Sequence, residues 1–200
     1  EHHMAEKQVI ISVGREYGSG GHAIAQILAT RFALPFYDKN LLEEIATGKN
    51  VDVRNLEKYD EIPKNPLISR TVRGFNNSPE ENIALMQFDY LKKMAAAGTS
   101  FVIVGRCAEN VLKSVPGLIS FFIIGDETVK QERICRLYHV TAKQALEMMK
   151  DHDRRRKNYH NHFCEWKWGD MHNYDMTVNS SRLGVEETAD FLEEYIRRRI

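Results

Sequence analysis

GREYGSGGHAIA, residues 14–25, decides the fold because it joins a strand-like run to a helical pattern. The run before it, QVIISV (8–13), is apolar and β-branched, which is typical of a buried strand. The residues after it, 22–32, place apolar side chains at helical spacing. A glycine-rich turn between a strand and a helix is the context that a phosphate-binding loop requires.

The glycines of this turn indicate what the loop binds. Gly18, Gly20 and Gly21 can adopt backbone angles that are closed to other residues, so successive N–H groups can converge on an anion at the positive end of the helix. A tight turn with glycines for packing is the alternative interpretation. We predict that the nucleotide phosphates are bound by Tyr17, Gly18, Ser19, Gly20, Gly21 and His22.

Further apolar runs predict the rest of a sheet. FVIVG (101–105) and LISFFIIG (118–125) each end at glycine and precede a helical pattern, as buried parallel strands do. MTVNS (176–180) and PFY (35–37) are weaker strand candidates, and an amphipathic helix over 184–199 closes the chain. Strands that alternate with helices predict an α/β fold with three layers, α/β/α, around a parallel sheet of about five strands.

Two segments interrupt this alternation. Residues 49–80 contain three of the five prolines and no strand-like periodicity, and we predict a mobile substrate-covering segment there. Residues 141–163 form a long polar helical pattern in which an internal break stays open, and an aromatic loop follows, so 141–173 is the predicted lid. Residues 1–4 resemble the remnant of a purification tag, which leaves 5–200 as a single domain.

Composition restricts the possible partners. Lys plus Arg and Asp plus Glu number 28 each, which argues against a nonspecific nucleic-acid coat or a polybasic membrane surface. No apolar run approaches a membrane span, and we expect no secretory leader. The three cysteines are widely spaced and odd in number, which favours reduced thiols. We therefore expect a cytoplasmic protein that binds small molecules; the sequence leaves its oligomeric state open.

The stretch I-S-x-x-R-E-Y-G-S-G-G-x-x-I-A (11–25) resembles the signature of the cytidylate kinase-like family. The likeness continues through FYDKNLL (36–42), VIVGRCA (102–108), and D-x-x-R-x-x-Y with W-G-D-x-x-N-Y-D-x-x-x-N-S (153–180). It implies a P-loop NTPase-like fold of the nucleoside-monophosphate kinase type. It also implies an enzyme that uses ATP and Mg²⁺ to phosphorylate a small acceptor such as CMP or dCMP.

One departure from the general P-loop pattern G-x-x-x-x-G-K-[ST] affects the chemistry. Gly21 stands where lysine is expected, and His22 stands where the hydroxyl that holds magnesium is expected. Arg15 or Lys39 is a candidate for the missing positive charge, and Ser19 or Asp38 for holding a hydrated magnesium ion. A nucleotide-binding regulatory module without turnover, or a kinase of another small molecule, therefore stays open as an alternative.

Arginines supply the candidate catalytic charges, since phosphoryl transfer is promoted by fixed cations around the moving group. Arg106 follows a predicted strand at the edge where open α/β sheets bind ligands, and the resemblance implies that it faces the acceptor. The residues that we assign to catalysis are Arg15, Arg106, Arg133, Arg136 and Arg156. For the helical arginines, a solvated or ion-paired helix face is the alternative.

Acceptor binding is assigned to a second set. A continuous helix would place Asp153, Arg156 and Tyr159 along one side, and the resemblance marks Asp38 and Lys39 as the start of the monophosphate region. Asp38 as a helix cap is the alternative. The predicted acceptor-binding residues are Asp38, Lys39, Arg106, Asp153 and Tyr159.

His160, His162, Cys164 and His172 are residue types that bind zinc, but His160 and His162 are two apart and would diverge on a helix. The sequence therefore predicts no metal bound by protein side chains of this group.

Overall fold

A computed structural model describes residues 7–42, 45, 71–72, 75–76 and 79–200. Strands β1 (Ile10–Arg15), β2 (Phe36–Tyr37), β5 (Phe101–Val104), β6 (Leu118–Ile124) and β7 (Met176–Asn179) form one parallel sheet in the order β2-β5-β1-β6-β7. The two-residue strands β3 (Thr71–Val72) and β4 (Phe75–Asn76) pair antiparallel to each other. The parallel sheet of five strands is the predicted one.

Helices connect the strands and cover both faces of the sheet. They are α1 (Gly21–Arg31), α2 (Pro79–Ala96), the single turn α3 (Ala108–Val111), α4 (Glu127–Tyr138), α5 (Ala142–Phe163) and α6 (Gly184–Arg199), with a 3₁₀ turn over Met171–Asn173. The strand predicted at 8–13 begins two residues later than expected and extends into the glycine-rich turn. The sequence left an internal break in the helix after residue 141 open, and the structure shows α5 as one continuous helix of 22 residues.

Strand β1 is buried between two apolar layers. Side chains of β1, β5 and β6 on one face pack against α1 and α6, with Leu28 and Leu192 fully buried between them. On the other face, Phe101 and Ile103 pack against Leu91 of α2 and the α3 turn. This arrangement of helix, sheet and helix is the predicted three-layer architecture.

The strand order explains where a ligand can bind. Strands β2 and β5 lie on one side of β1, and β6 and β7 lie on its other side. The order of the strands therefore reverses direction at β1. In open α/β sheets, ligands bind at the carboxyl ends of the strands next to such a reversal. The glycine-rich turn, which directly follows β1, lies at this point.

The predicted substrate-covering segment, 49–80, falls mostly outside the described residues. Within the described part of the chain, every helix is too short or too polar to cross a bilayer.

Candidate functional site

The glycine-rich turn has the backbone geometry that the sequence predicts. Gly18 and Gly20 have φ values of 83° and 82°, in the left-handed region that side chains disfavour. A Cβ at Gly20 would lie 2.6 Å from Nη1 of Arg133 and 2.8 Å from Val185. Helix α1 starts directly afterwards, at Gly21, so its positive end faces the turn. Glycine is therefore required at Gly20 both for the backbone angle and for space.

Serine hydroxyls fix the shape of the turn from inside. The Ser19 side chain is fully buried, and its Oγ donates to the carbonyl of Glu16 at 2.8 Å and accepts from the N–H of Gly21 at 3.3 Å. Oγ of Ser180 donates to the carbonyl of Ser19 at 2.5 Å. Among the described residues, no acceptor is found for the N–H groups of Gly18, Gly20 and His22. These amides are the ones that an anion in front of the turn can use.

Helix α5 contacts the turn through Asp153, which is 136 residues from its partner Tyr17 in the sequence. The N–H of Tyr17 donates to Oδ1 of Asp153 at 2.7 Å, and the Tyr17 ring stacks on His152 at a centroid distance of 4.0 Å. The guanidinium of Arg156 lies 5.5 Å from the centre of the Tyr17 ring. Burial raises the pKa of Asp153, and the hydrogen bond from Tyr17 opposes that rise. Asp153 thus positions the loop, a role that the sequence pattern did not indicate.

A second contact ties the end of β1 to helix α4. Nζ of Lys130 lies 2.7 Å from Oε2 of Glu16, and the N–H of Gly125 donates to the same oxygen at 3.2 Å. Lys130 is only 8% exposed, so this ion pair is shielded from solvent. Neither residue was predicted as part of the site, because a pair 114 residues apart has no sequence signal.

The two predicted arginines on α4 differ in their contacts and their exposure. Nη1 of Arg133 donates to the carbonyl of Gly18 at 2.9 Å, and burial together with the neighbouring Arg136 lowers the pKa of Arg133. The side chain of Arg136 is exposed. The structure therefore brings Arg133 to the glycine-rich turn and leaves Arg136 at the surface.

Three of the predicted arginines line one cleft at the carboxyl edge of the sheet. Arg15 and Gly14 of β1, Gly105 and Arg106 after β5, and Arg156 of α5 contribute to its wall. Arg106 is 4% exposed and donates from Nη2 to the carbonyl of Asp38 at 3.3 Å. Arg156 donates from Nη1 to the carbonyl of Arg15 at 3.4 Å. Three segments far apart in sequence thus each contribute an arginine to the wall of one cleft.

The other predicted acceptor-binding residues occupy different places. Tyr159 is buried and lines the same cleft, while Lys39 is exposed. Oδ2 of Asp38 lies 2.6 Å from Nε2 of His22. Burial raises the pKa of Asp38, but the hydrogen bonds from His22 and from the Asn40 backbone outweigh burial and hold this pKa below its usual range. Asp38 is therefore a carboxylate at neutral pH, directly beside the start of α1.

Next to the arginines, the cleft wall contains a buried cluster that the sequence analysis did not assemble. Nε2 of His160 lies 2.5 Å from Oε1 of Glu109, and the Cys164 sulfur completes a group whose ligand atoms lie within 4.8 Å of one another. A hydrogen bond with Cys107 lowers the pKa of Cys164, against the effect of burial. The spacing of four between His160 and Cys164 was a signal, but Glu109 lies on α3 and only the fold brings it near.

The two other histidines weighed as zinc ligands lie elsewhere. Nε2 of His162 is 4.0 Å from Glu81, and Nδ1 of His172 is 2.9 Å from Asp170.

Two known proteins are similar to this chain over nearly its whole length. The cytidylate kinase of Methanococcus vannielii is 23% identical over 193 residues, which are 94% of this chain and 100% of that protein. The crystal structure of an uncharacterized protein from Eubacterium ventriosum is similar with a TM-score of 0.76 and 38% identity, over 95% of this chain and 99% of the other.

More distant structures share the fold. Shikimate kinase from Bacteroides thetaiotaomicron has a TM-score of 0.54 at 15% identity, over 94% of this chain and 98% of that one. A gluconokinase from Sinorhizobium meliloti has a TM-score of 0.53 at 14% identity, over 97% of this chain and 94% of that one. The fold is thus that of the P-loop kinases. Residues 10–182 match the sequence model of the cytidylate kinase-like family, and the chain therefore belongs to that family.

Proposed function

We propose that this protein is a nucleoside-monophosphate kinase that transfers the terminal phosphoryl group of Mg-ATP to a small phosphorylated acceptor, with CMP or dCMP as the first candidates. The observation that carries the proposal is the cleft at the carboxyl edge of the sheet, whose wall includes Arg15, Arg106 and Arg156. The nucleotide acceptor is supported by family membership and by the relative named cytidylate kinase.

The arrangement supports phosphoryl transfer by position and charge. In such reactions charge spreads over the oxygens of the transferred group, and fixed guanidinium groups stabilise it. In the proposed mechanism, the free N–H groups of the turn and Arg133 bind the donor phosphates. Arg106 and Arg156 bind the acceptor phosphate and the moving group, and Arg15 takes the part of the absent P-loop lysine. The proposed catalytic set also includes Arg136, whose side chain is exposed.

Magnesium requires oxygen ligands, and the described residues offer one suitable group near the start of α1. Asp38 is half-buried and its lowered pKa keeps it ionised, which fits a hydrated Mg²⁺ held through water. Ser19 fits less well, because its hydroxyl already bonds within the turn. When bound, Mg²⁺ would neutralise charge on the donor phosphates.

A nucleotide-binding regulatory module is the second candidate, and one observation favours it. His22 occupies the position of the usual magnesium-binding hydroxyl, and its ring is engaged by Asp38 at 2.6 Å. Such a site would bind nucleotide through the turn and the arginines with little turnover.

One assay separates these functions. The purified full-length chain is incubated with Mg-ATP and a panel of nucleoside monophosphates, with shikimate and gluconate added because kinases of these names share the fold. ADP release is followed, and calorimetry measures the affinity of each ligand. We expect the fastest turnover with CMP or dCMP. Nucleotide binding without ADP release would instead support the regulatory module.

Arg106→Gln tests the role of the cleft within that assay. Loss of a buried guanidinium from the acceptor site should lower kcat/KM for the acceptor by about 10- to 100-fold, or about 1.4 to 2.7 kcal/mol. Arg154→Gln is the matched control, because Arg154 is exposed and pairs with Asp151 on the outer side of α5. Equal kcat/KM values for the acceptor in the two variants would show that the cleft takes no part in the reaction.

A further inference from the structure

A buried group of metal-binding side chains joins the last turn of α5 to the α3 turn. Glu109 lies on α3, His160 lies near the end of α5, and Cys164 caps that helix. Their ligand atoms lie within 4.8 Å of one another. A spacing of four residues puts His160 and Cys164 on the same face of the helix, toward Glu109. The fold therefore brings three different donor types to one point.

The burial of this group is unusual for polar side chains. Glu109 and His160 are each 4% exposed. Nε2 of His160 contacts Glu109 and the ring also interacts with Cys164, while no hydrogen-bond partner is found for the buried Nδ1 among the described residues. A buried polar atom without a partner is costly, so the present bonding does not fully satisfy the imidazole ring.

A second thiol lies beside the first. Cys107, at the turn between β5 and α3, forms a side-chain hydrogen bond with Cys164 and is 3% exposed. Its sulfur is not part of the group whose ligand atoms all lie within 4.8 Å of one another, but it lies beside Cys164 and offers a second thiol next to the three donors. Thiolate and imidazole donors favour Zn²⁺ over Mg²⁺ or Ca²⁺, which prefer oxygen ligands alone.

We propose that Glu109, His160 and Cys164 bind a Zn²⁺ ion, with Cys107 as the fourth ligand. Bond lengths of about 2.0 to 2.3 Å in a tetrahedral site put neighbouring ligand atoms about 3.3 to 3.8 Å apart. The atoms of the three residues are already within 4.8 Å, and the 2.5 Å contact between His160 and Glu109 opens when the ion enters. The zinc set excluded from sequence spacing lacked Glu109 and Cys107.

The arginines of the surrounding cleft balance the charge of a Zn²⁺ site. Two thiolates and one carboxylate carry −3, so the site with Zn²⁺ carries −1. Arg106 and Arg156 line the same cleft as Cys107, Glu109 and His160, and their positive charges offset the remainder. Bound zinc would fasten the end of α5 to the turn that carries Arg106. The site does not depend on the proposed kinase activity, since it is defined by its own four side chains.

Metal binding to the full-length chain is the direct test. The protein is purified under reducing conditions, stripped with a chelator and titrated with Zn²⁺ against a chromophoric competitor. We expect one equivalent bound with a sub-micromolar Kd. Co²⁺ in the same site should give the intense visible bands of tetrahedral coordination and a near-ultraviolet charge-transfer band from thiolate ligands.

Variants assign the ligands. Cys164→Ser and His160→Ala should each weaken Zn²⁺ binding by at least 100-fold, and Cys107→Ser should halve the charge-transfer band of the Co²⁺ form. Cys135→Ser is the matched control, because the third cysteine packs in a separate cluster on α4. It should leave the stoichiometry at one. Circular dichroism of each stripped variant separates loss of a ligand from loss of the fold.

Two results would overturn the proposal. The first is a reduced, folded wild-type protein that binds no Zn²⁺ or shows an octahedral Co²⁺ spectrum. The second is Zn²⁺ binding that persists unchanged in the Cys164→Ser and His160→Ala variants.

Discussion

Gly20 combines a left-handed backbone with a crowded neighbourhood. Its φ is 82°, and a Cβ there would lie 2.6 Å from Arg133 Nη1 and 2.8 Å from Val185. In Gly20→Ala, the disfavoured backbone angle costs about 1 to 2 kcal/mol. Displacement of Arg133 from the turn adds a loss of phosphate binding. We expect nucleotide affinity, measured by calorimetry, to fall by at least tenfold, along with a lower free energy of unfolding in urea.

Gly98→Ala isolates the backbone contribution. Gly98 has a φ of 77°, but a Cβ there meets nothing within 4 Å, and the residue lies in the loop before β5. This variant should lose a similar free energy of unfolding to strain while nucleotide affinity stays unchanged. If both variants bind nucleotide equally well, the turn is a packing feature and not the phosphate site.

Site residues that belong to a contiguous sequence motif were predictable, whereas residues that reach the site only through tertiary contacts were not. The glycines and Ser19 form one contiguous motif, so the sequence alone indicated the turn. Arg106 was expected at the cleft because it follows a recognisable strand. Asp153, by contrast, contacts the N–H of Tyr17 across 136 residues, and no local pattern encodes such a contact.

For helix α5, too, the sequence predicted only part of the structure. Its start was visible as Thr141, whose side chain forms a reciprocal capping box with Gln144. Its polar composition left a break open, yet the helix is continuous, because Ala145, Met149 and Tyr159 are buried against other elements. Tertiary packing of one face, which the sequence does not display, stabilises such a helix more than its intrinsic propensity does.

The contact between α5 and the loop can be tested through Asp153. In Asp153→Ala the N–H of Tyr17 loses its acceptor at 2.7 Å, and an unsatisfied amide costs about 1 to 3 kcal/mol when buried. We expect faster hydrogen exchange at the Tyr17 amide and a nucleotide affinity about tenfold lower, because the turn is no longer held in its binding conformation.

Asp151→Ala is the control on the same helix. Asp151 pairs with Arg154 and Arg155 at the surface, where ion pairs contribute about 0 to 1 kcal/mol. Exchange at Tyr17 should be unaffected in this variant. Faster exchange in Asp151→Ala of the same size would show that the effect comes from general fraying of α5 and not from the contact with the turn.

At the scale of the whole molecule, anion binding depends on the local charge of the cleft more than on the net charge of the chain. Basic and acidic residues balance at 28 each, yet three arginines from β1, the β5 edge and α5 line one cleft. An anion bound there contacts segments that come together only in the folded chain. Inorganic pyrophosphate or ADP should therefore stabilise the fold, by about 2.7 kcal/mol at 100 times its Kd.

For a chain of this length, 1 kcal/mol raises Tm by about 2 to 4 °C, so saturating ligand should raise it by about 5 to 11 °C. Differential scanning calorimetry with increasing ligand measures this shift, and added salt should reduce it because the attraction is electrostatic. Arg156→Gln removes one charge from the cleft and should reduce the shift by more than half. Arg155→Gln removes an exposed charge on the same helix and should leave the shift intact. If the ligand raises Tm equally in the two variants, the anion binds outside the cleft. The cleft would then not be the phosphate site.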